Sequence, residues 1–423
     1  MKSTRRAKPA GANDNAFRLK EHYDLVIAGG GYVGLSLALA VRQASGLSVL
    51  VVEPQAMEAM RKDERASAIA SAASRMLDGL GVWSSIEPEA EPIRKMLVTD
   101  SKLKDIVRPA LLTFEGNSKD GVPFAYMVPN GAMVGALGDA AKAAGVDLLE
   151  GDSVRDFVVH GSSVAISLQS GQAVQGALLV AADGVRSRLR DLAGINVNRF
   201  TYDQVGIVTT VEHERPHEGC AVEHFLPAGP FAILPLKGNR SSLVWNERTD
   251  DAERLLAMDD FTFGLELERR FGKQLGAITE KGPRKGFPLG MVLARSYVAS
   301  RFALVGDAAH GIHPIAGQGL NLGFKDVASL AEVLVEAARL GQDIGAFDVL
   351  ERYQTWRRFD VTQMGVTCDL LNRLFSNNSE ILRHVRDFGL GMVDRLPALK
   401  RLFIEEAAGN RGDVPRLLRG ESL

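Results

Sequence analysis

Residues 23–53 read YDLVIAGGGYVGLSLALAVRQASGLSVLVVE, and the fold is decided here. A short apolar run, YDLVIA, feeds directly into GGGYVGLSLALAVRQASG, whose small and apolar residues suit a tightly packed helix. LSVLVVE then reads as a second buried strand, ending at Glu53. The result is a β-α-β unit of about thirty residues, the size of one mononucleotide-binding half. Gly29 permits the tight turn, Gly31 lets a pyrophosphate approach the backbone, and Gly34 lets helix and strand pack closely. The anion meets a helix N-terminus, where unpaired N–H groups and the positive dipole end favour it. Glu53 can accept hydrogen bonds from a ribose diol, and an acid at that position favours a 2'-hydroxyl over a 2'-phosphate. FAD or NAD is therefore the expected tightly held dinucleotide.

Outward from this unit, the chain is long for one core. Its 423 residues predict two intimately packed domains. The fold class is α/β: a Rossmann-like domain interleaved with an antiparallel-sheet substrate domain and followed by C-terminal helices. Residues 1–20 are basic and polar without an apolar signal core, and read as a loose arm. The dinucleotide domain is assigned to 21–86, 125–198 and 290–345, the substrate domain to 87–124 and 199–289, and a helical region to 346–423. Within these, 68–80 has helical spacing, while the runs VGIVTTVEH, AVEHFLP, FAILPL and SSLVW predict an antiparallel sheet suited to roofing a pocket. Long helical patterns cover 320–340 and 347–375. A net charge of -2 gives no sign of nucleic-acid binding. Cys220 and Cys368 form no C-x-x-C pattern, metal-ligand spacing is absent, and no run of eighteen apolar residues occurs; cytoplasm is the expected compartment.

Two further motifs choose between the dinucleotides. Asp183 and Gly184, in ADGVRSRLR, follow a buried strand, and Gly306 and Asp307, in GDAAH, follow another. With these the chain resembles the group A flavoprotein aromatic monooxygenases, the family of para-hydroxybenzoate hydroxylase, whose fingerprints are an N-terminal glycine turn, a DG motif and a GD motif in this order. Arg65 in RASAIA matches the arginine that lies along FAD in that family, and the stretch His313, Pro314, Ile315, Ala316, Gly317, Gln318, Gly319, Leu320, Asn321, Leu322, Gly323 looks like its ubiquinone-biosynthesis hydroxylase subfamily. The resemblance runs from about residue 23 to 400.

It implies tightly bound FAD and transient NADPH or NADH. Asp307 would hydrogen-bond the ribityl chain, Asp183 and Gly184 would contact FAD and the nicotinamide cofactor, and the helix after Gly317 would aim its N–H groups at the flavin's N1 and O2 edge. Pro314, Gln318, Gly319, Leu320 and Asn321 belong to that cofactor loop. The implied cycle is reduction of FAD, addition of O2 at flavin C4a, and transfer of OH from the hydroperoxide to an electron-rich ring. A polyprenylated phenol is the implied lipophilic substrate, with Phe225, Leu226, Phe231, Ile233 and Leu234 as candidate pocket residues or ordinary core. His310 and His313 are read as hydrogen-bonded histidines beside the cofactor, without a catalytic assignment. The C-terminal stretch 370–403 is amphipathic and basic, fitting a peripheral membrane contact, a packing face or an oligomer contact. The alternatives are a hydroxylase of small soluble aromatic acids, an isoprenoid reductase on the same scaffold, and a noncatalytic FAD-holding subunit of a complex.

Overall fold

The computed structural model describes residues 19–100, 103, 108–115, 122–313, 317–375, 408–409 and 412–423. Its first strand, β1 (His22–Ala28), is buried along most of its length because parallel partners flank both edges. On one side lies β2 (Val49–Glu53), joined to β1 through helix α1 (Tyr32–Ala44); on the other lies Ala173–Ala181. Phe302–Leu304 extends the parallel sheet beyond Ala173–Ala181, and Asp147–Glu150 extends it beyond β2. The chain thus leaves β1 in one direction and returns on its other flank. Strand order reverses at β1, and such a switch point opens a crevice at the carboxyl ends of the strands.

The helices Asn130–Ala143 and α2 (Gln318–Arg339) both pack on α1. Leu35, Leu37 and Leu39 of α1 join Leu330 and Leu334 of α2 in one large core. A second, nine-stranded sheet carries Val197–His213, Cys220–Leu226, Gly229–Leu236, Arg240–Arg248 and Lys285–Ala294. One of its faces is closed by the helices Thr249–Leu256 and Asp260–Phe271, around Phe231, Trp245 and Phe263. Between the large sheets lies a three-stranded one, made of Ala66–Ala70, Ala125–Pro129 and Glu91–Ile93. Among the described residues, the long helix α3 (Phe347–Phe375) packs against α2.

Several expectations change. The helical spacing at 68–80 resolves into a strand, Ala66–Ala70, followed by a helix, Ser71–Gly79. Pairing with Ala125–Pro129 overrides the helix preference of the alanines. The substrate sheet is not wholly antiparallel: Cys220–Leu226 runs parallel to Lys95–Asp100, which arrives from a distant part of the chain. The boundary assigned at 290 falls inside Lys285–Ala294, a strand that belongs to the second sheet. Leu226, Phe231 and Ile233 face the helix-covered core rather than a pocket, because strand alternation turns them to that side. Leu234 lies on the opposite side, against Met127 and Ile93. Pro314, most of the 1–20 arm and most of 370–403 lie outside the described residues.

Candidate cofactor and substrate site

Four parallel strands end side by side at the crevice, and each end carries one of the singled-out groups. β1 ends in the glycine turn, β2 in Glu53, Ala173–Ala181 in Asp183, and Phe302–Leu304 in Gly306 and Asp307. Groups as distant in sequence as Gly29, Asp183 and Asp307 are brought together by this strand order.

The glycines divide into two kinds. Gly29 has φ +113°, and a Cβ there would lie 2.4 Å from the Ala182 carbonyl oxygen, so the turn is pressed directly onto the DG motif. A Cβ on Gly34 would lie 1.9 Å from the Gly29 carbonyl oxygen. These two are glycine because the protein itself leaves no room. Gly31, Gly184 and Gly319 have nothing within 4 Å of the built Cβ, so the space they keep open lies outside the protein's own packing. Gly31 also caps α1, which presents its N-terminal N–H groups there. Glu53 is fixed by the Gly30 N–H, which donates to its Oε2 at 2.6 Å, and by the Gln55 N–H at 3.0 Å. Its carboxylate is thereby held at the turn.

Asp307 has no hydrogen bond or ion pair with the described residues, although it is open to solvent. Surrounding protein mass raises its pKa, His310 lowers it and Asp326 raises it further. An unengaged carboxylate at a strand's carboxyl end suits the hydroxyls of a ribityl chain. Arg65 is paired with Asp63 at 2.6 Å and lies over the Phe287 ring of the second sheet at 5.8 Å. Tyr32, just after Gly31, marks the convergence: burial raises its hydroxyl's pKa, Arg65 lowers it, Asp307 and Asp63 raise it, and Ser67 lowers it. Arg65, Asp307 and the glycine turn therefore share one space.

The motifs are also tied from behind. The buried Arg190 of the DG segment donates from Nη1 to the carbonyls of Ala308, at 3.0 Å, and Val185, at 3.2 Å. Asp183 helps cap the short helix Arg188–Leu192, accepting from the Leu189 N–H at 3.4 Å; burial is the main reason its pKa is raised. Gly306 and Gly323 both pack on Val33 of α1, where a Cβ on Gly323 would lie 2.9 Å away. The α2 N-terminus is set by Gly317, with φ +62°. Asn321 stitches it to Ala66–Ala70: its Oδ1 accepts from the Ala70 N–H at 2.8 Å, and its Nδ2 donates to Ala68 O at 3.2 Å and Gly317 O at 3.0 Å. Asn321 thus positions the loop with its whole amide. Gln318 and Leu320 occupy the first turn, half-buried.

Sequence reading missed the support beneath the GD motif. Asp326 of α2 accepts from the Gly306 N–H at 2.9 Å, lies 2.5 Å from His310 Nε2, and accepts from Arg357 Nε of α3 at 2.8 Å. Burial alone would raise the Asp326 pKa, but His310 and Arg357 pull it below the usual range. His313 is buried edge-on to Tyr202 at 5.1 Å, and desolvation pushes it down to about 4, although Asp369 opposes this; it is neutral at physiological pH. Asp326 and Arg357 gave no sequence signal, because a single charge within a helix usually marks its solvated face.

A parallel sheet with a glycine turn, a DG pair and a GD pair at adjacent strand ends defines a dinucleotide-binding flavoprotein fold. The chain belongs to the FAD-binding family described as "FAD binding domain", whose pattern matches residues 22–365. It is 46% identical over 407 residues to the ubiquinone hydroxylase UbiL of Rhodospirillum rubrum, covering 95% of this chain and 93% of that one. It is 35% identical over 392 residues to the 3-demethoxyubiquinol 3-hydroxylase of Escherichia coli, covering 91% and 98%. Among solved structures, the p-nitrophenol 4-monooxygenase PnpA of Pseudomonas putida shares the fold with TM-score 0.77 at 19% identity, covering 93% and 100%. The cofactor is FAD, and the open glycines and unengaged Asp307 fit it. Among the described residues no helix is long and apolar enough to cross a membrane, and no group of His, Cys, Asp and Glu is arranged to hold a metal.

Proposed function

We propose that this chain is an FAD-dependent aromatic-ring hydroxylase using NAD(P)H and O2, acting on a polyprenylated phenol in ubiquinone biosynthesis. The observation that carries the reading is the convergence of the three motifs at adjacent strand ends in a chain 46% identical to a ubiquinone hydroxylase. FAD, reduced by NAD(P)H, supplies the chemistry of O2 activation. The chain's own residues bind and orient. Gly31 and the α1 N-terminus take the pyrophosphate, Glu53 the ribose, Asp307 the ribityl hydroxyls, and Arg65, held by Asp63, flanks the cofactor. The α2 N-terminus, set by Gly317 and Asn321, directs positive potential at the flavin. The second sheet closes over the crevice and keeps water out.

Purified holoenzyme should consume O2 with NAD(P)H when given a prenylated phenol, and mass spectrometry should find a product one oxygen heavier, labelled from isotopic O2. NAD(P)H that bleaches the flavin while reducing a substrate double bond would replace hydroxylation with the reductase reading. Turnover confined to small aromatic acids would move the substrate class.

A lipophilic substrate requires delivery, and a peripheral membrane contact at the C-terminal helices belongs to the same proposal. Phe359, Val366 and Leu370 are exposed at helical spacing on α3, an apolar stripe leading into the amphipathic stretch. Co-sedimentation with anionic phospholipid vesicles, lost in F359E/L370E, is the expected outcome.

A further inference from the structure

On the cofactor side of the second sheet stands a carboxyl that cofactor binding does not use. Cross-strand pairing places Glu223 opposite Ala232 and Val98, in line with Val244. Its same-face strand neighbour Ala221 packs with Met127 and Ile93 of the small sheet, whose first strand follows Arg65. The next row on this face runs Phe225, Pro230, Asn246, Gly206, Phe287, and ends at the ring over which Arg65 lies. Glu223 therefore faces the cofactor domain, while its neighbour His224 faces away and pairs with Thr99 at 2.7 Å.

Glu223 is only 6% exposed and has neither a hydrogen bond nor an ion pair with the described residues. A buried polar group without a partner is costly and calls for an explanation. Asn246, 3% exposed on the same face, has a buried Oδ1 that likewise lacks a partner. Two acceptors without donors among the described residues thus stand on one face that also carries Ala232, Val244 and Phe225. A wall of this composition fits a molecule that is mostly apolar and donates hydrogen bonds, as a phenol with a hydrocarbon tail does.

We propose that Glu223 is the polar anchor of the substrate ring, accepting a hydrogen bond from its hydroxyl, with Asn246 as a second acceptor on the same wall. This rests on the hydroxylase reading above. The bond orients the ring against the flavin and increases electron density on it.

Burial alone raises the Glu223 pKa to about 7. Among the described residues, the titratable groups facing it from the packed elements are Asp100, paired with Phe225, and Glu91, paired with Met127; neither contributes to the shift. A carboxylate accepts more strongly than a carboxylic acid, so binding should tighten as pH rises through about 7.

The test titrates oxidised holoenzyme with 2-geranylphenol across this pH range, following the perturbation of the flavin spectrum. Wild type is expected to bind more tightly above the inflection. Glu223→Gln, which keeps an acceptor but cannot ionise, should bind without an inflection, and Glu223→Leu should bind about tenfold or more weakly, with FAD content unchanged in both. Variants that match wild type in affinity and pH profile would overturn the role of Glu223 while leaving the hydroxylase reading intact. Wild-type holoenzyme that neither binds the phenol nor oxidises NAD(P)H faster in its presence would overturn both.

Discussion

Gly31 and Gly34 stand three positions apart and should fail in different ways when changed. Gly34→Val drives a side chain into the Gly29 carbonyl and is expected to prevent folding, whereas Gly31→Val places its Cβ where no protein atom lies within 4 Å and should fold but purify with little FAD. Circular dichroism and flavin absorbance on the same samples separate the two outcomes. Asp307→Ala should also fold and lose FAD. The spacing that announced these residues was legible because a glycine turn is local chemistry. Glu223 was not, since AVEHFL reads as an apolar strand interrupted by polar residues, and only sheet pairing shows which way they point. Its raised pKa also carries a stability signature. The folded state favours the neutral acid, so Glu223 opposes folding increasingly as pH rises from the ordinary carboxyl value of 4.5 to about 7. Chemical denaturation without substrate should find Glu223→Gln close to wild type at low pH and more stable above neutrality by about 3 kcal/mol at most.

At the scale of elements, α2 was legible almost to its ends and α3 along its described length, because long amphipathic helices impose a clear period on the sequence. Ala66–Ala70 was not: its alanines favour a helix locally, and the partner strand that overrides them begins at Ala125. What holds α2 and α3 to the GD turn is the buried Asp326, with Arg357 on one oxygen and His310 and the Gly306 N–H on the other. Asp326→Asn leaves the buried Arg357 guanidinium with only the partly exposed Asp360 as countercharge and should cost about 3 kcal/mol in denaturant unfolding. The sign of the pH dependence follows from the lowered Asp326 pKa. Its stabilisation is complete at neutral pH and is lost as pH falls through that depressed value, a trend the Asn variant should lack.

Across the whole molecule, the β-α-β start and the three motifs foretold a Rossmann-like flavoprotein, but not how the two large sheets interleave. That arrangement depends on pairings such as Cys220–Leu226 with Lys95–Asp100, which no local pattern encodes. Because FAD would touch every strand end at the crevice, its binding should stabilise the entire fold. Free FAD at a thousandfold excess over its Kd should add about 4 kcal/mol to the deflavinated protein, read as a rise in melting temperature. The reversal of strand order at β1 also has a consequence for biosynthesis. The crevice needs His22–Ala28, Ala173–Ala181 and Phe302–Leu304 at once, and the helix that closes it ends at Arg339. A ribosome must therefore release about four-fifths of the chain before any nascent product can capture flavin, and until then the glycine turn emerges with no partner to press against. Flavin loading is a late event in this protein's life, and chains arrested before residue 300 should emerge empty however much FAD surrounds them.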